Sequence, residues 1–330
     1  MELNYIKDDK KSQYVKQVLT LDDYPEVKGW DFSKPFDFDK FMNQYFHTGF
    51  QATNLKKAID IIKEMRKEKA KIFLAFTSNM VSSGLREAIC FLVKNKLVDV
   101  LVTTAGGVEE DMIKSLKKFV IGDFSAPGSM LLENGINRTG NIFVPNDRYY
   151  LFEKNFVPFL EKIHLKEQGK PISCEEFLSE LGKHINHEES ILYWAWKNKI
   201  PFFCPAITDG ALGDMLYFFK KRKKDFYVDV TQDMTRIVDL AMNSEKTGLV
   251  ILGGGVAKHH TLNAQIFREG CDFAVFVNTG QEFDGSDSGA RPDEAVSWCK
   301  IKPDGKAVKV TADATLVFPL MVQAAFTQNI

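Results

Sequence analysis

The chain is expected to fold as a doubly wound, mostly parallel α/β sheet of the Rossmann-like type, with an N-terminal helical arm over residues 1–47 and a single α/β domain over 48–330. Three features predict this. From about residue 48 onward, short apolar runs alternate with amphipathic stretches, the rhythm of strand–helix–strand units. The apolar runs are rich in Val, Ile, Leu and Phe and do not alternate with polar residues, as strands buried on both faces require. No internal repeat, low-complexity tract or Pro/Gly/Ser linker interrupts the pattern.

The elements follow in order. "NLKKAIDIIKEM" places Leu55, Ala58, Ile59, Ile62 and Met65 on one helical face, with Asn54 as the expected N-cap. "KIFLAF" (71–76) is a strand; it ends in the small polar turn "TSNMVSSG", and "LREAICFLVKNKL" is the helix behind it. "VDVLVTT" is a second strand, followed by "AGGVEED" and another helix. "PFFCPAIT" then runs into "DGALGDMLYFF", and "GLVILGGG" into "VAKHHTLNAQIF". Last, "DFAVFVNTG" leads into the acidic stretch "QEFDGSDSGARPDEAVSWCK" (281–300).

Composition removes several classes of function. With 43 basic against 44 acidic side chains, the net charge is −1, which gives no reason to expect nucleic acid or an anionic membrane as partner. The five cysteines are odd in number and lack a C-x-x-C pair, so neither a disulfide framework nor a zinc ribbon is expected. "MELNYIKDDKK" has no apolar core of a secretory signal, and the longest apolar run, "ATLVFPLMV", is too short to span a bilayer and contains Pro319. A reduced, soluble, cytoplasmic protein is the expectation.

In open parallel sheets, ligands bind beyond the carboxyl ends of the strands. The ends visible here are all small or polar: "TSNMVSSG", "TTAGG", "TDGALGD", "LGGGVAKHH" and "NTGQEFDGSDSG". Glycines there let a pyrophosphate approach the backbone, and each following helix N-terminus favours an anion, so the loops either hold a dinucleotide or simply turn strand into helix. The usual G-x-G-x-x-G fingerprint fails, because Lys258 stands at its last position.

The charged residues beside these loops say more. Glu109, Glu110 and Asp111 follow one strand, Asp209 and Asp214 another, and Glu282, Asp284, Asp287, Asp293 and Glu294 a third. On the sheet expected here the three clusters meet at one edge. A close pair of like charges repels by as much as ~4 kcal/mol at an effective dielectric near 20. Such groups persist only if spread apart, paired, or awaiting a cation. They fit no compact calcium loop, and no metal is expected. A polyamine suits them, with Trp298 lying along its methylenes and meeting an ammonium through its ring face.

Lys300 is either a solvent-facing lysine after a turn or a nucleophilic amine that forms an imine. His259 and His260 open a helix, as an acid–base group or as structural histidines. "HINHEE" (184–189) lacks a third ligand for a metal, and "KKRKK" (220–224) reads as the cationic end of a helix.

Beyond these readings, the segments "TSNMVSSGLRE", "LVTTAGGVEED", "ENGINRTGN", "PAITDGALGD", "ILGGGVAKHH", "QEFDGSDSGARPDEAVSWCK" and "ADATLVFPL" resemble the deoxyhypusine synthase family, co-linearly over most of the chain. The resemblance implies NAD-dependent transfer of the aminobutyl group of spermidine to one lysine of the precursor of translation initiation factor 5A. It also implies a homotetramer with active sites between paired subunits. By the same resemblance Lys300 forms the imine and His259 is the base. Glu109, Glu110, Asp214, His259, Asn263, Asp287, Ser288, Glu294 and Trp298 hold the polyamine. The cofactor falls to Ser78, Asn79, Met80, Val81, Ser82, Thr104, Ala105, Gly106, Glu110, Asp209, Gly254, Thr279, Gly280, Asp284, Asp313 and Ala314.

Two departures stand out: Cys299 precedes the lysine where the family usually has glycine, adding bulk beside the nucleophile, and Gly280 stands where alanine is common. The arm before "GWDF" is short for a segment that covers a neighbour's site entrance. Homospermidine synthesis with putrescine as acceptor, and a catalytically weak subunit of a heterotetramer, remain alternatives at this stage.

Overall fold

The computed structural model describes residues 21–327, together with two short strands at Tyr5–Ile6 and Val18–Leu19. The segment expected to cover a site entrance lies largely outside the described residues. At the centre is a six-stranded parallel sheet: β1 (Lys71–Phe76), β2 (Val100–Val102), β3 (Phe202–Phe203), β4 (Thr247–Leu252), β5 (Cys271–Asn278) and β6 (Ile301–Thr311). Their spatial order is β3-β2-β1-β4-β5-β6. This is the order of two mononucleotide-binding halves, and the winding reverses between β1 and β4.

The apolar runs explain why the sheet is covered on both faces. Leu74, Phe76, Val250, Leu252, Val275 and Val277 enter one core, while Phe73, Ala75, Leu249, Ile251, Ala274 and Phe276 enter the other. The in-register pairs Phe73–Leu249 and Leu74–Val250 keep the two sets apart, because side chains alternate faces along a strand. Each large side chain so buried contributes ~1.5–3 kcal/mol. A one-residue slip would exchange the two sets.

Several expectations need correction. β6 was not expected as a strand, because Lys302, Pro303, Asp304, Gly305, Lys306 and Lys309 give it a polar pattern. It is an edge strand paired only with β5, the position where polar residues and proline are tolerated. Asn54 is not an N-cap: helix α1 (Phe38–Thr48) runs to Gly49, and helix α2 (Phe50–Lys67) starts directly after it. Gly49, with φ 94°, stands at the N-cap position and donates its N–H to Thr53 Oγ1 at 3.1 Å, while Asn54 Nδ2 donates to the Lys309 carbonyl at 3.2 Å. The face predicted for α2 is otherwise the buried one. Between β2 and β3 the chain adds a small antiparallel sheet (Val120–Ile121, Ile136–Thr139, Ile142–Pro145) and a 21-residue helix, Asp147–Glu167. Its Phe152, Phe156 and Phe159 pack with Phe177.

Candidate active site

Helices α3 (Ser78–Ser82), α4 (Leu85–Lys94) and α5 (Ala105–Leu116) follow β1 and β2 almost without loops. The glycines of "TTAGG" therefore sit in the first turn of α5. Gly106 brings that turn so close to α3 that a Cβ on it would lie 2.7 Å from Ser78 Cβ. Across the switch point, a Cβ on Gly254 would collide with the Ser288 side chain, whose Oγ accepts from Gly255 N–H at 2.9 Å. Gly255 itself has φ 58° and open space beside it. Close backbone approaches next to open space, at helix N-termini, form a cradle that fits a nucleotide.

Between the helix that follows β4 (Gly255–Asn263) and the segment that links β5 to β6 lies a cavity of about 410 Å³ lined by Lys258, His259, Asn263, Asp287, Glu294, Trp298 and Lys300 among others, with Lys300 directly before β6 and beside the amino end of β5. The six-residue helix Pro292–Ser297 delivers the last two. It ends with Cys299 N–H donating to the Val296 carbonyl and Lys300 N–H to the Ala295 carbonyl, both at 3.0 Å. This is the Schellman pattern, which needs a left-handed residue at the penultimate position, and Cys299 has φ 55°. Cys299 is exposed, so the departure from glycine bears on the backbone at this position. Lys300 is only 8 % exposed, and its Nζ lies 5.9 Å from the ring centroid of the exposed Trp298.

His259 Nδ1 is 3.1 Å from Asn263 Nδ2. With the amide turned so that its oxygen accepts from Nδ1–H, the ring's Nε2 is left free to take a proton. Neighbouring His260 is half-buried, and burial pushes its pKa below the usual value. Asp287 has a carboxylate oxygen, Oδ2, that is shielded from solvent and has no hydrogen-bond partner among the described residues. Its loop is held by Lys258, a residue the sequence did not single out as functional. The Lys258 ammonium donates to the carbonyls of Asp287 and Ala290, and burial lowers its pKa. Lys309 holds the same loop from the other side, through the carbonyls of Gly280 at 2.7 Å and Gly289 at 2.6 Å. A Cβ on Gly280 would press to 3.1 Å on Ser288, which accounts for a residue without one in this chain.

The acids do not meet at one edge. Glu109, Glu110, Asp209 and Asp214 lie beyond β2 and β3, whereas Asp284, Asp287 and Glu294 lie beyond β5. In the observed order β2 and β5 stand three strand spacings apart, ~14 Å. Asp111 belongs to neither group. It is buried against Arg86 at 2.8 Å and accepts from Ser190 Oγ and from the N–H groups of Ile191 and Leu192. Glu282 is tied to Arg291 at 2.5 Å.

Burial raises the pKa of Glu109 to about 7; the carboxylates of Glu110, Asp209 and Asp214 add to this, and the Leu212 N–H opposes it. Burial also raises Glu110 to about 7, against the Ser82 hydroxyl and the Lys114 ammonium. Met80, Val81 and Ala105 are buried supports, while Asn79 and Thr279 are exposed and Thr104 is half-buried. Asp209 caps helix Gly210–Arg222, and Asp313 caps helix Ala314–Ala325 by accepting from Thr315 N–H at 2.8 Å. Asp284 accepts from Ser286 N–H, which holds its pKa low.

His184 and His187 are engaged elsewhere, with the Asn155 carbonyl and the Glu189 N–H. The run "KKRKK" closes helix Gly210–Arg222 as expected, with Lys220 donating to the Phe226 carbonyl. Among the described residues, no helix is long and apolar enough to cross a membrane.

A doubly wound α/β enzyme with small, polar loops beyond the carboxyl ends of its strands and a cavity beside the helix after β4 is the class that this fold and site define. A family model for deoxyhypusine synthase matches residues 40–325. Deoxyhypusine synthase of Kluyveromyces lactis is 47% identical over 95% of this chain and 95% of its own, and that of Arabidopsis thaliana is 48% identical over 91% and 90%. The crystal structure of a candidate deoxyhypusine synthase from Entamoeba histolytica superimposes with a TM-score of 0.69 at 31% identity, covering 92% of this chain and 97% of that one. The chain belongs to the deoxyhypusine synthase family and is a transferase.

Proposed function

We propose that the chain transfers the 4-aminobutyl group of spermidine to one lysine of the translation initiation factor 5A precursor, with Lys300 carrying the fragment as an imine and NAD as cofactor. The observation that carries this reading is a nearly buried lysine amine in a cavity shared with an exposed indole and a shielded carboxylate oxygen that has no hydrogen-bond partner among the described residues. An amine placed there is kept from bulk water, which protects an imine from hydrolysis. Asp287 and Glu294 attract the ammonium groups of the donor, and Trp298 offers its face to one of them. Bound NAD would supply the acceptance and return of a hydride, leaving no net redox change. The turn Ser78–Ser82, Gly106 and Gly253–Gly255 are the groups that would hold it.

His259 Nε2 takes the proton of the donor's secondary amine. Lys300 Nζ then adds to the donor's imine carbon, 1,3-diaminopropane departs, and the butylamine stays on Lys300. The acceptor lysine displaces Lys300 by a second exchange of the same kind. The separation of the acids into two groups within one chain supports sites completed by a paired subunit, in a homotetramer. Glu109, Glu110 and Asp214 of one subunit would then face Asp287 and Glu294 of another. Residues 48–330 act as one unit in this reading, and the reaction takes place in the cytoplasm.

The test offers purified protein NAD, spermidine, the factor 5A precursor and putrescine together, with products read by mass spectrometry. One aminobutyl group on the precursor, lost in Lys300→Ala, is the expected result. Homospermidine with unmodified precursor would assign putrescine as the acceptor instead, and absence of both products would overturn the catalytic reading.

A further inference from the structure

We propose that Lys114 is a positioning residue for the cofactor end of the site: its ammonium locks the α3 turn by binding three successive carbonyls and gives Glu110 its counter-charge. The inference rests on the functional reading above, because α3 is the segment assigned there to the cofactor. Lys114 Nζ donates to the carbonyls of Val81 at 2.9 Å, Ser82 at 3.3 Å and Ser83 at 2.9 Å. All three ammonium protons are thus used on one turn of backbone. A five-residue helix has too few turns to satisfy its own terminal carbonyls, so it needs such a partner to keep its shape.

Lys114 stands four residues after Glu110 on α5, the spacing at which side chains share a helix face. Glu110 accepts from Ser82 Oγ, so one lysine anchors both the turn and the carboxylate bound to it. The groups facing Glu110 are Ser82 and Lys114, with the carboxylate of Glu109 beside it and Tyr149 of helix Asp147–Glu167 sensing both acids. Burial lowers the pKa of Lys114, while Glu87, Glu110 and Asp111 work against that and Arg86 adds to it. The ammonium is therefore committed to the three carbonyls of the turn, with the carboxylates acting on it through charge at longer range.

The charge and the hydrogen-bond geometry are separable by substitution. Lys114→Arg keeps the charge, Lys114→Gln keeps only neutral donors, and Lys114→Met keeps neither. Losing charge-assisted bonds to the turn is expected to raise amide exchange across residues 78–84 by about tenfold in Lys114→Met without any ligand present. The dissociation constant for NAD, measured by equilibrium dialysis, is expected to rise by about the same factor. The acid limb of NAD binding near pH 7 moves to higher pH in Lys114→Gln and stays in place in Lys114→Arg. Should Lys114→Met not fold, this Gln–Arg contrast still decides. A limb that moves equally in both, or exchange and NAD affinity unchanged in Lys114→Gln and Lys114→Met, would overturn the inference. Native protein that takes up no NAD would overturn the cofactor reading and this inference with it.

Discussion

Replacing Cys299 by glycine is expected to stabilise the protein by about 0.5–1 kcal/mol. Cys299 holds φ 55°, which costs an L-residue ~1–2 kcal/mol through the contact of its Cβ with the following carbonyl. Glycine removes that cost but loses ~0.5–1 kcal/mol of extra backbone entropy on folding. The thiol is exposed, so no burial is given up. For a chain of this length the net gain corresponds to a melting shift of about 1–2 °C. Scanning calorimetry at several scan rates reads it, with Cys299→Ala as a control that removes the thiol and keeps the left-handed cost. Cys299→Val adds a β-branched side chain at the same φ and should melt below the native protein. A glycine variant no more stable than the alanine variant would refute the reasoning. Lys300 takes its place directly after this residue in the same motif. Borohydride trapping of the Lys300 adduct should therefore be at least as fast in Cys299→Gly as in the native chain.

Two further outcomes follow from the buried charges. Glu109 binds a proton more tightly folded than unfolded, with its pKa raised from 4.5 to about 7, so its stabilising contribution is present below about pH 4.5 and lost as pH rises through about 7. Stability in urea should fall by up to ~3 kcal/mol across that window for this residue, and Glu109→Gln should remove about half of the combined fall from Glu109 and Glu110; an unchanged slope would exclude Glu109 as its source. Arg86→Met leaves Asp111 buried without its cation and should cost ~3–5 kcal/mol, of which the double variant with Asp111→Asn recovers part, as read from urea midpoints.

The local pattern was enough for the strands β1, β4 and β5, because side chains buried on both faces leave a continuous apolar run that no other element explains. It was also enough for the face of α2 and for the cationic end of helix Gly210–Arg222. The long motifs named the residues at the strand ends, since those loops carry chemistry in a fixed linear order. β6 escaped because an edge strand is polar where it meets water, and Asn54 misled because the helix starts before it, directly after Gly49, whose φ of 94° separates α1 from α2.

By itself, then, the sequence determined the two-faced strands and the strand-end loops and offered the lysine, acids and indole as candidates, all of which are local in the chain. Tertiary structure alone decided that the acids divide between two regions, since strand order is set by long-range pairing and β2 lies far from β5. It alone decided that Lys114 and Lys258 serve turns belonging to other elements. A contact between elements distant in sequence arises from packing, which no short stretch of residues encodes.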